Sequence, residues 1–249
     1  MEIIISPAKK MRIAHDFLAP RALPAFLEQT ETLLAYLRAL PPDALRQLLR
    51  CNEKIAAESY AQYQQMDLRR GLSPAILAFD GIQYRYMAPQ VFETGAFAYA
   101  EAHLRILSGF YGVLRPFDGV APYRLEMQAR VRVGGYDSLY SFWGGRLGAA
   151  FCPEDGVVLN LASAEYSKAV AQHLPAGTRM VGCVFGELEG GRVREKGVHV
   201  KMARGEMVRF LAEHGITDVR DARGFDRLGY AYCAARSDGR RYVFLKQPG

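Results

Sequence analysis

The chain has 249 residues, of which half are hydrophobic, 23% charged and 11% aromatic. This composition excludes a disordered or collagen-like chain, and the length supports a core that buries roughly 70–75% of the unfolded surface. The net charge is +6 and the pI about 9.2. An excess carried mainly by arginine gives solubility, and it also suits an anionic partner, either nucleic acid or a small phosphorylated molecule.

The first element is "EIIISPAKK" (2–10). Three isoleucines predict a buried strand. Ser6 is then placed to cap a helical turn, with Pro7 at its first position. Free N–H groups at such a junction favour an anion, and Lys9 adds a full charge beside them. The plainer alternative is a cap with two solvated lysines. Because the lysines follow the short apolar run, it is not expected to be a signal peptide. No apolar stretch approaches the ~20 residues of a membrane span.

Apolar residues at 26, 27, 33, 34, 37 and 40 predict an amphipathic helix, stopped by Pro41-Pro42. Asp43 is the expected cap of the next short helix and Asn52 that of a third. The fold is therefore expected to be one compact mixed α/β domain over 1–249, a mixed sheet with surrounding helices, in which the helical segment about 20–70 can stand as a subdomain. "PAILAF" (74–79) reads as a buried strand, and "FAYAEAHLRIL" (97–107) as a helix.

The stretch "LRILSGFYGVLRPFDGVAPYRLEM" (104–127) then resembles the hairpin of a helix-hairpin-helix element. In such a hairpin, glycines let backbone N–H groups approach a phosphate without reading bases. Ser108, Gly109, Tyr111 and Gly112 are its candidates, with Arg105 and Arg115 as flanking phosphate contacts. A tight turn between packed elements is the alternative. By strand alternation Arg124 and Glu126 share a face, as a buried ion pair or as part of a polar pocket.

Ser138 is expected to cap a helix carrying Trp143. "GVVLNLAS" (156–163) reads as a strand, followed by a helix with Ser163 at its N-cap; Asn160, Tyr166 and Lys168 lie just past the strand end. "TRMVGCVFGEL" (178–188) and "GVHVKMAR" (197–204) read as paired strands, with a short helix from 205 ended by Gly215. Lys201, Arg204 and Arg209 would then surround a third strand-to-helix junction. Three such junctions, each with a base, point to a shared basic cleft at the strand ends. "YAYCAARSDGRRYVFLKQ" (230–247) is a hairpin turning at Asp238-Gly239.

The four cysteines, Cys51, Cys152, Cys183 and Cys233, form no C-x-x-C motif, as expected of reduced, mostly buried thiols of a cytoplasmic protein. Neither phosphate-loop, dinucleotide-binding nor G-x-S-x-G motifs occur. The five histidines show no metal-ligand spacing with one another or with cysteine, so neither a metal nor a cofactor is expected.

The blocks "ISPAKK", "ILAFDGIQY", "LRILSGFYGVLRPFD", "PYRLEM", "LYSFWG", "NLASAEYSK" and "KMARGEMVRF" occur in the order found in the YaaA family of peroxide stress proteins, and the resemblance spans residue 2 to about 230. It implies a cytosolic protein that protects against hydrogen peroxide and lowers free intracellular iron, with a basic cleft and a helix-hairpin-helix that binds duplex DNA with little sequence preference. The cleft residues it implies are Lys9, Arg115, Arg124, Lys168, Lys201 and Arg204. Lys10 departs from the threonine usual in the family, and Met202 stands where a base is common. The competing expectation from the residues is an enzyme acting on a nucleotide or nucleobase. There Glu126 would be general acid or base, Lys9 phosphate anchor or nucleophile, and Tyr166 a further catalytic candidate.

Overall fold

The computed structural model describes residues 1–14 and 17–247. In chain order the elements are β1 (Glu2–Ile5), β2 (Lys10–Met11), α1 (Leu27–Ala39), α2 (Pro42–Leu49), α3 (Glu53–Gln65), β3 (Ser73–Pro74), α4 (Ala75–Ala78), β4 (Phe79–Asp80), α5 (Ile82–Met87), α6 (Thr94–His103), β5 (Leu104–Ser108), β6 (Gly112–Leu114) and β7 (Gly119–Val120). The second half contributes α7 (Leu139–Trp143), α8 (Arg146–Ala149), β8 (Val157–Leu161), α9 (Ala164–Ala171), β9 (Arg179–Glu189), β10 (Arg192–Arg194), α10 (Gly197–Glu213), β11 (Tyr230–Tyr232) and β12 (Arg241–Lys246).

Eight strands form one mixed sheet in the order β11-β12-β9-β8-β1-β5-β6, with β10 paired to β9. The five inner strands β12, β9, β8, β1 and β5 are parallel. Antiparallel β11, β6 and β10 finish the edges. Every residue of β1 is buried, as a central parallel strand covered on both faces requires. The chain leaves β1 to one side for β5 and β6, then returns to the other side for β8. This reversal opens a crevice at the carboxyl ends of β1 and β8, the usual ligand position in open α/β sheets.

The mixed α/β class is as the sequence predicts, and so are Asn52 as cap of α3, accepting from the Ile55 N–H at 2.9 Å, and Ser138 as cap of α7 in a reciprocal capping box. Gly215, at φ +60°, follows the end of α10. β11 and β12 pair antiparallel, as expected of the hairpin 230–247.

Several elements differ. Residues 75–78 are a helical turn, α4, between two-residue strands; all four are buried, and a fully apolar run does not distinguish strand from helix. Asp43 lies inside α2, which begins with Pro42 at its first turn and has no side-chain cap. Residues 104–107 are strand, because Leu104 and Ile106 pair in register with Ile3 and Ile5. The segment 197–204 is no strand either: α10 is one continuous helix. Its β-branched alternation is superseded by buried Val200, Ala203, Met207, Val208 and Leu211 at helical spacing. Gly205 sits mid-helix because α10 presses backbone to backbone on α5. A Cβ there would lie 2.8 Å from Met87 N and closer still to the Gln83 carbonyl.

Candidate functional site: a basic cleft at the strand ends

No helix follows Ser6. Its hydroxyl instead accepts from the Ser163 N–H at 2.8 Å and donates to Ser163 Oγ at 3.2 Å. Ser6 thus caps α9 from another strand, satisfying one orphan donor of that helix, and ties the exits of β1 and β8 together. The chain then passes Pro7, Ala8 and Lys9 to the bridge Lys10↔Asp80. Gly81 makes this crossing possible, since a Cβ there would lie 2.9 Å from the Ala8 Cβ.

The loop from Ser6, the Asp80–Tyr84 corner, the segment Tyr123–Glu126, the start of α9 and the inner face of α10 enclose a cavity of about 380 Å³. Its cations are Lys9, Lys10, Arg124, Lys201 and Arg204, and its carboxylates Asp80, Glu126 and Glu165. Lys9 Nζ lies 2.9 Å from Glu126 Oε2, and Arg124 Nη2 lies 3.8 Å from Glu126 Oε1. These three side chains also line a smaller cavity of about 100 Å³, bounded by Leu48, Leu49 and Arg50 where α2 meets α3.

Two guanidinium groups set the electrostatics. The Nε atoms of Arg124 and Arg204 are both buried without a hydrogen-bond partner, an arrangement that costs desolvation free energy unless a ligand compensates it. Burial pulls the Arg204 ionisation down, opposed by Glu195 and Cys183. Burial also pushes the Glu165 carboxyl up, against hydrogen bonds from the Gln128 and Met127 backbones. Glu165 Oε1 accepts from the Gln128 N–H at 3.2 Å, holding the segment after Glu126 in place.

Tyrosines 84, 123 and 166 join Pro7, Ala8, Ile82 and Leu125 in the apolar part of the lining. Burial raises all three phenols above their ordinary ionisation range, so they serve as neutral hydrogen-bonding groups. The Tyr84 hydroxyl donates to the Ser6 carbonyl at 3.0 Å. The Tyr123 hydroxyl pairs with Ser108 Oγ at 2.6 Å.

Of the sequence candidates, Lys9, Arg124, Glu126, Tyr166, Lys201 and Arg204 thus meet at this cleft. Lys201 and Arg204 meet there one helical turn apart on α10, without the junction anticipated for them, while Arg209 pairs with Glu213 at 2.7 Å. Arg124 and Glu126 do pair, though on an irregular segment.

The other candidates lie elsewhere. Arg105 makes a 2.9 Å ion pair with Glu2. Arg115 is exposed, and its backbone N–H donates to Asp118 Oδ2 at 2.8 Å. The Lys168 ammonium stands 4.1 Å from the centroid of the Tyr140 ring. Ser108, Gly109, Tyr111 and Gly112 belong to a β-hairpin between β5 and β6, with Ser108 and Tyr111 buried.

The Ser108 hydroxyl accepts from the Phe110 and Tyr111 N–H groups at 3.1 and 2.8 Å, so this turn serves its own backbone. A Cβ on Gly109 would lie 2.5 Å from the Leu125 carbonyl and 3.1 Å from the Glu126 carbonyl carbon. The close approach that the glycine permits is therefore to the segment holding Arg124 and Glu126. The helices joined by a short turn are α2 and α3, with Arg50 left-handed at φ 46° between them.

Sequence reasoning missed Asp80, Gln83, Tyr84, Tyr123 and Glu165 as lining residues. The available signal was Asp80-Gly81 following a fully apolar run. Among the described residues no group of three or more His, Cys, Asp or Glu side chains is placed to hold a metal ion. The four cysteines are unpaired. Only Cys183 is fully buried, Cys51 and Cys233 being half-buried and Cys152 exposed, fewer buried thiols than expected.

A family model described as "Peroxide stress protein YaaA" matches residues 1–236. The chain belongs to the YaaA family of peroxide stress proteins. It is 56% identical over 246 residues to a UPF0246 protein of Desulfitobacterium hafniense, covering 99% of this chain and 98% of the relative. UPF0246 proteins of Lactiplantibacillus plantarum and Pediococcus pentosaceus are 49% and 45% identical, covering 99% of this chain and 100% and 98% of their own lengths. The resemblance drawn from the seven sequence blocks is thus a family relationship over nearly the whole chain, and it carries with it a general role in peroxide stress.

Proposed function

We propose that this YaaA-family chain protects a cell against hydrogen peroxide by binding DNA through phosphate contacts at the basic cleft, with little sequence preference. The observation that carries the reading is the pair of partly buried arginines, Arg124 and Arg204, each with a buried, unpartnered Nε, lining one cleft with Lys9 and Lys201. An anion is the ligand class that compensates both. The α2–α3 turn, whose Arg50 borders the adjoining small cavity, extends the footprint beyond the cleft. The site of action is the cytoplasm; among the described residues no helix is long and apolar enough to cross a membrane. An indirect lowering of free iron fits this reading; among the described residues no group of three or more His, Cys, Asp or Glu side chains is placed to hold a metal ion.

Fluorescence anisotropy with a labelled duplex across a salt series tests this. Binding should weaken with a slope of about −0.9 in log K against log salt for each phosphate neutralised. Arg204→Met should lower affinity at every salt concentration. Absence of binding at low salt, or an affinity indifferent to salt, would refute the proposal.

One observation favours the enzyme reading as a second possibility: Glu126 is held between Lys9 and Arg124 inside an enclosed cleft, a position suited to proton transfer on a bound nucleotide. Full in vivo protection by Glu126→Gln would remove it.

A further inference from the structure

The cavity volume sets an upper limit on what enters it. About 380 Å³ is at the lower end of small-ligand sites, roughly 300–1,000 Å³. A duplex, whose major groove alone is ~12 Å wide, does not fit inside. A single nucleotide does. Its lining combines the two chemistries a nucleotide presents, cationic groups for a phosphate and aromatic rings for a base. Arg124 and Arg204 bring buried, unpartnered Nε–H donors, and Lys9 and Lys201 bring further charge. Five cations against three carboxylates leave a net of two positive charges, matching a phosphate monoester. In the same lining stand Tyr84, Tyr123 and Tyr166, with the Tyr84 and Tyr123 hydroxyls engaged by the protein. Glu165 lies beside them, its carboxyl pushed up by burial and able to meet the N–H edge of a base.

We infer that the cleft is a mononucleotide subsite, in which Arg124 and Arg204 hold the phosphate and the tyrosine wall receives the nucleobase. This rests on the anion-binding reading of the cleft and specifies its ligand. Two sources carry that chemistry: a free nucleotide, or one nucleotide swung out of a bound DNA strand at a cost of a few kcal/mol in unstacking.

The test has two arms on the full-length chain. Calorimetric titration compares deoxynucleoside 5′-monophosphates with the corresponding nucleosides and with inorganic phosphate. A monophosphate should bind at least about tenfold more tightly than either half, and Arg204→Met should lose about tenfold or more of that affinity. Monitoring wild-type and variant unfolding confirms that both are folded.

In the second arm a duplex carrying one 2-aminopurine reports unstacking by a rise in fluorescence, while anisotropy reports binding. Monophosphate binding together with a fluorescence rise that free monophosphate competes away assigns the source to DNA. Monophosphate binding with DNA bound but dark assigns it to free nucleotide. Monophosphate binding with no DNA binding upholds the subsite and ends the DNA reading. DNA binding with neither monophosphate binding nor a fluorescence rise overturns the subsite and leaves the DNA reading standing. Phosphate alone binding as tightly as the nucleotide also overturns it, as does no binding in either arm.

Discussion

Replacing Gly205 by alanine isolates the contact that places Lys201 and Arg204. A Cβ at this position would sit 2.8 Å from Met87 N and 2.9 Å from the Tyr86 Cβ, and closer still to the Gln83 carbonyl oxygen. Two of these three neighbours are backbone atoms of α5, which no rotamer change can move aside. Reaching ordinary contact with that oxygen requires α10 and α5 to separate by about an ångström, which puts the overpacking in the upper part of its usual range, about 2–3 kcal/mol. Alanine recovers about 1 kcal/mol through its better helix propensity, so the net expectation is a loss of about 1–2 kcal/mol. At this chain length that lowers the melting temperature by about 2–4 °C per kcal/mol. Gly197→Ala, in the same helix with nothing within 4 Å of its Cβ, is the matched control and should be neutral or slightly stabilising. Urea denaturation should show a lower midpoint for Gly205→Ala with an unchanged slope. If Gly205→Ala were as stable as the wild type or more so, the helices would not be packed backbone to backbone, and the placement of Arg204 on the cleft wall would lose its support.

Three further outcomes follow from the geometry. Gly109→Ala should destabilise by about 1–3 kcal/mol and weaken ligand binding at once, since its Cβ meets the Leu125 carbonyl at 2.5 Å; an unaffected melting temperature would contradict the buried turn. Asp118 is pushed up to about 6 by burial, against hydrogen bonding and charge from Arg115 and charge from Arg105. Its folded pKa exceeds the unfolded one, so its favourable contribution is present below about pH 4 and is lost as pH rises through 6. Stability of Asp118→Asn, measured by denaturation from pH 4 to 7, should fall less across that window than the wild type's; parallel curves would refute it. Glu126→Gln removes the partner of Lys9 and Arg124. It should cost no more than about 1 kcal/mol of stability, as Lys9 is exposed, while raising affinity for inorganic phosphate in calorimetry through the lost negative charge.

A family of peroxide stress proteins invites the question of whether a thiol consumes the peroxide. Cys183 is the cysteine nearest the site in chemistry, since it interacts with Arg204. Burial nonetheless pushes its thiol up to about 12, so at neutral pH it is protonated, whereas the reactive form is the thiolate. Beside Arg204, Cys183 is therefore a poor candidate for reducing an oxidant directly.

Which parts of this were readable beforehand follows from what sequence encodes. Lys9 after β1 and Tyr166 after β8 are legible because polar residues at the end of an apolar strand are a local signal; the Arg124–Glu126 pair is legible from its i, i+2 spacing, although its segment is irregular. Arg204 reaches the cleft from within α10, not from the strand-to-helix junction its local pattern predicts. Local alternation in "GVHVK" argued for a strand, whereas the deciding interaction is the approach of Gly205 to α5, more than a hundred residues earlier in the chain, and no window around residue 200 contains it. The same holds for Ser6, which caps a helix 157 residues away, and for the glycines at 109 and 112. A Gly-rich turn signals that a backbone comes close to something; it does not say whether that partner is a phosphate or another strand. Here the partner of Gly109 is the segment that presents Arg124 and Glu126. A hairpin expected to touch the ligand itself is thus the support that fixes two of the cleft's charged groups, and any loss of binding in its variants is expected to travel with a loss of stability.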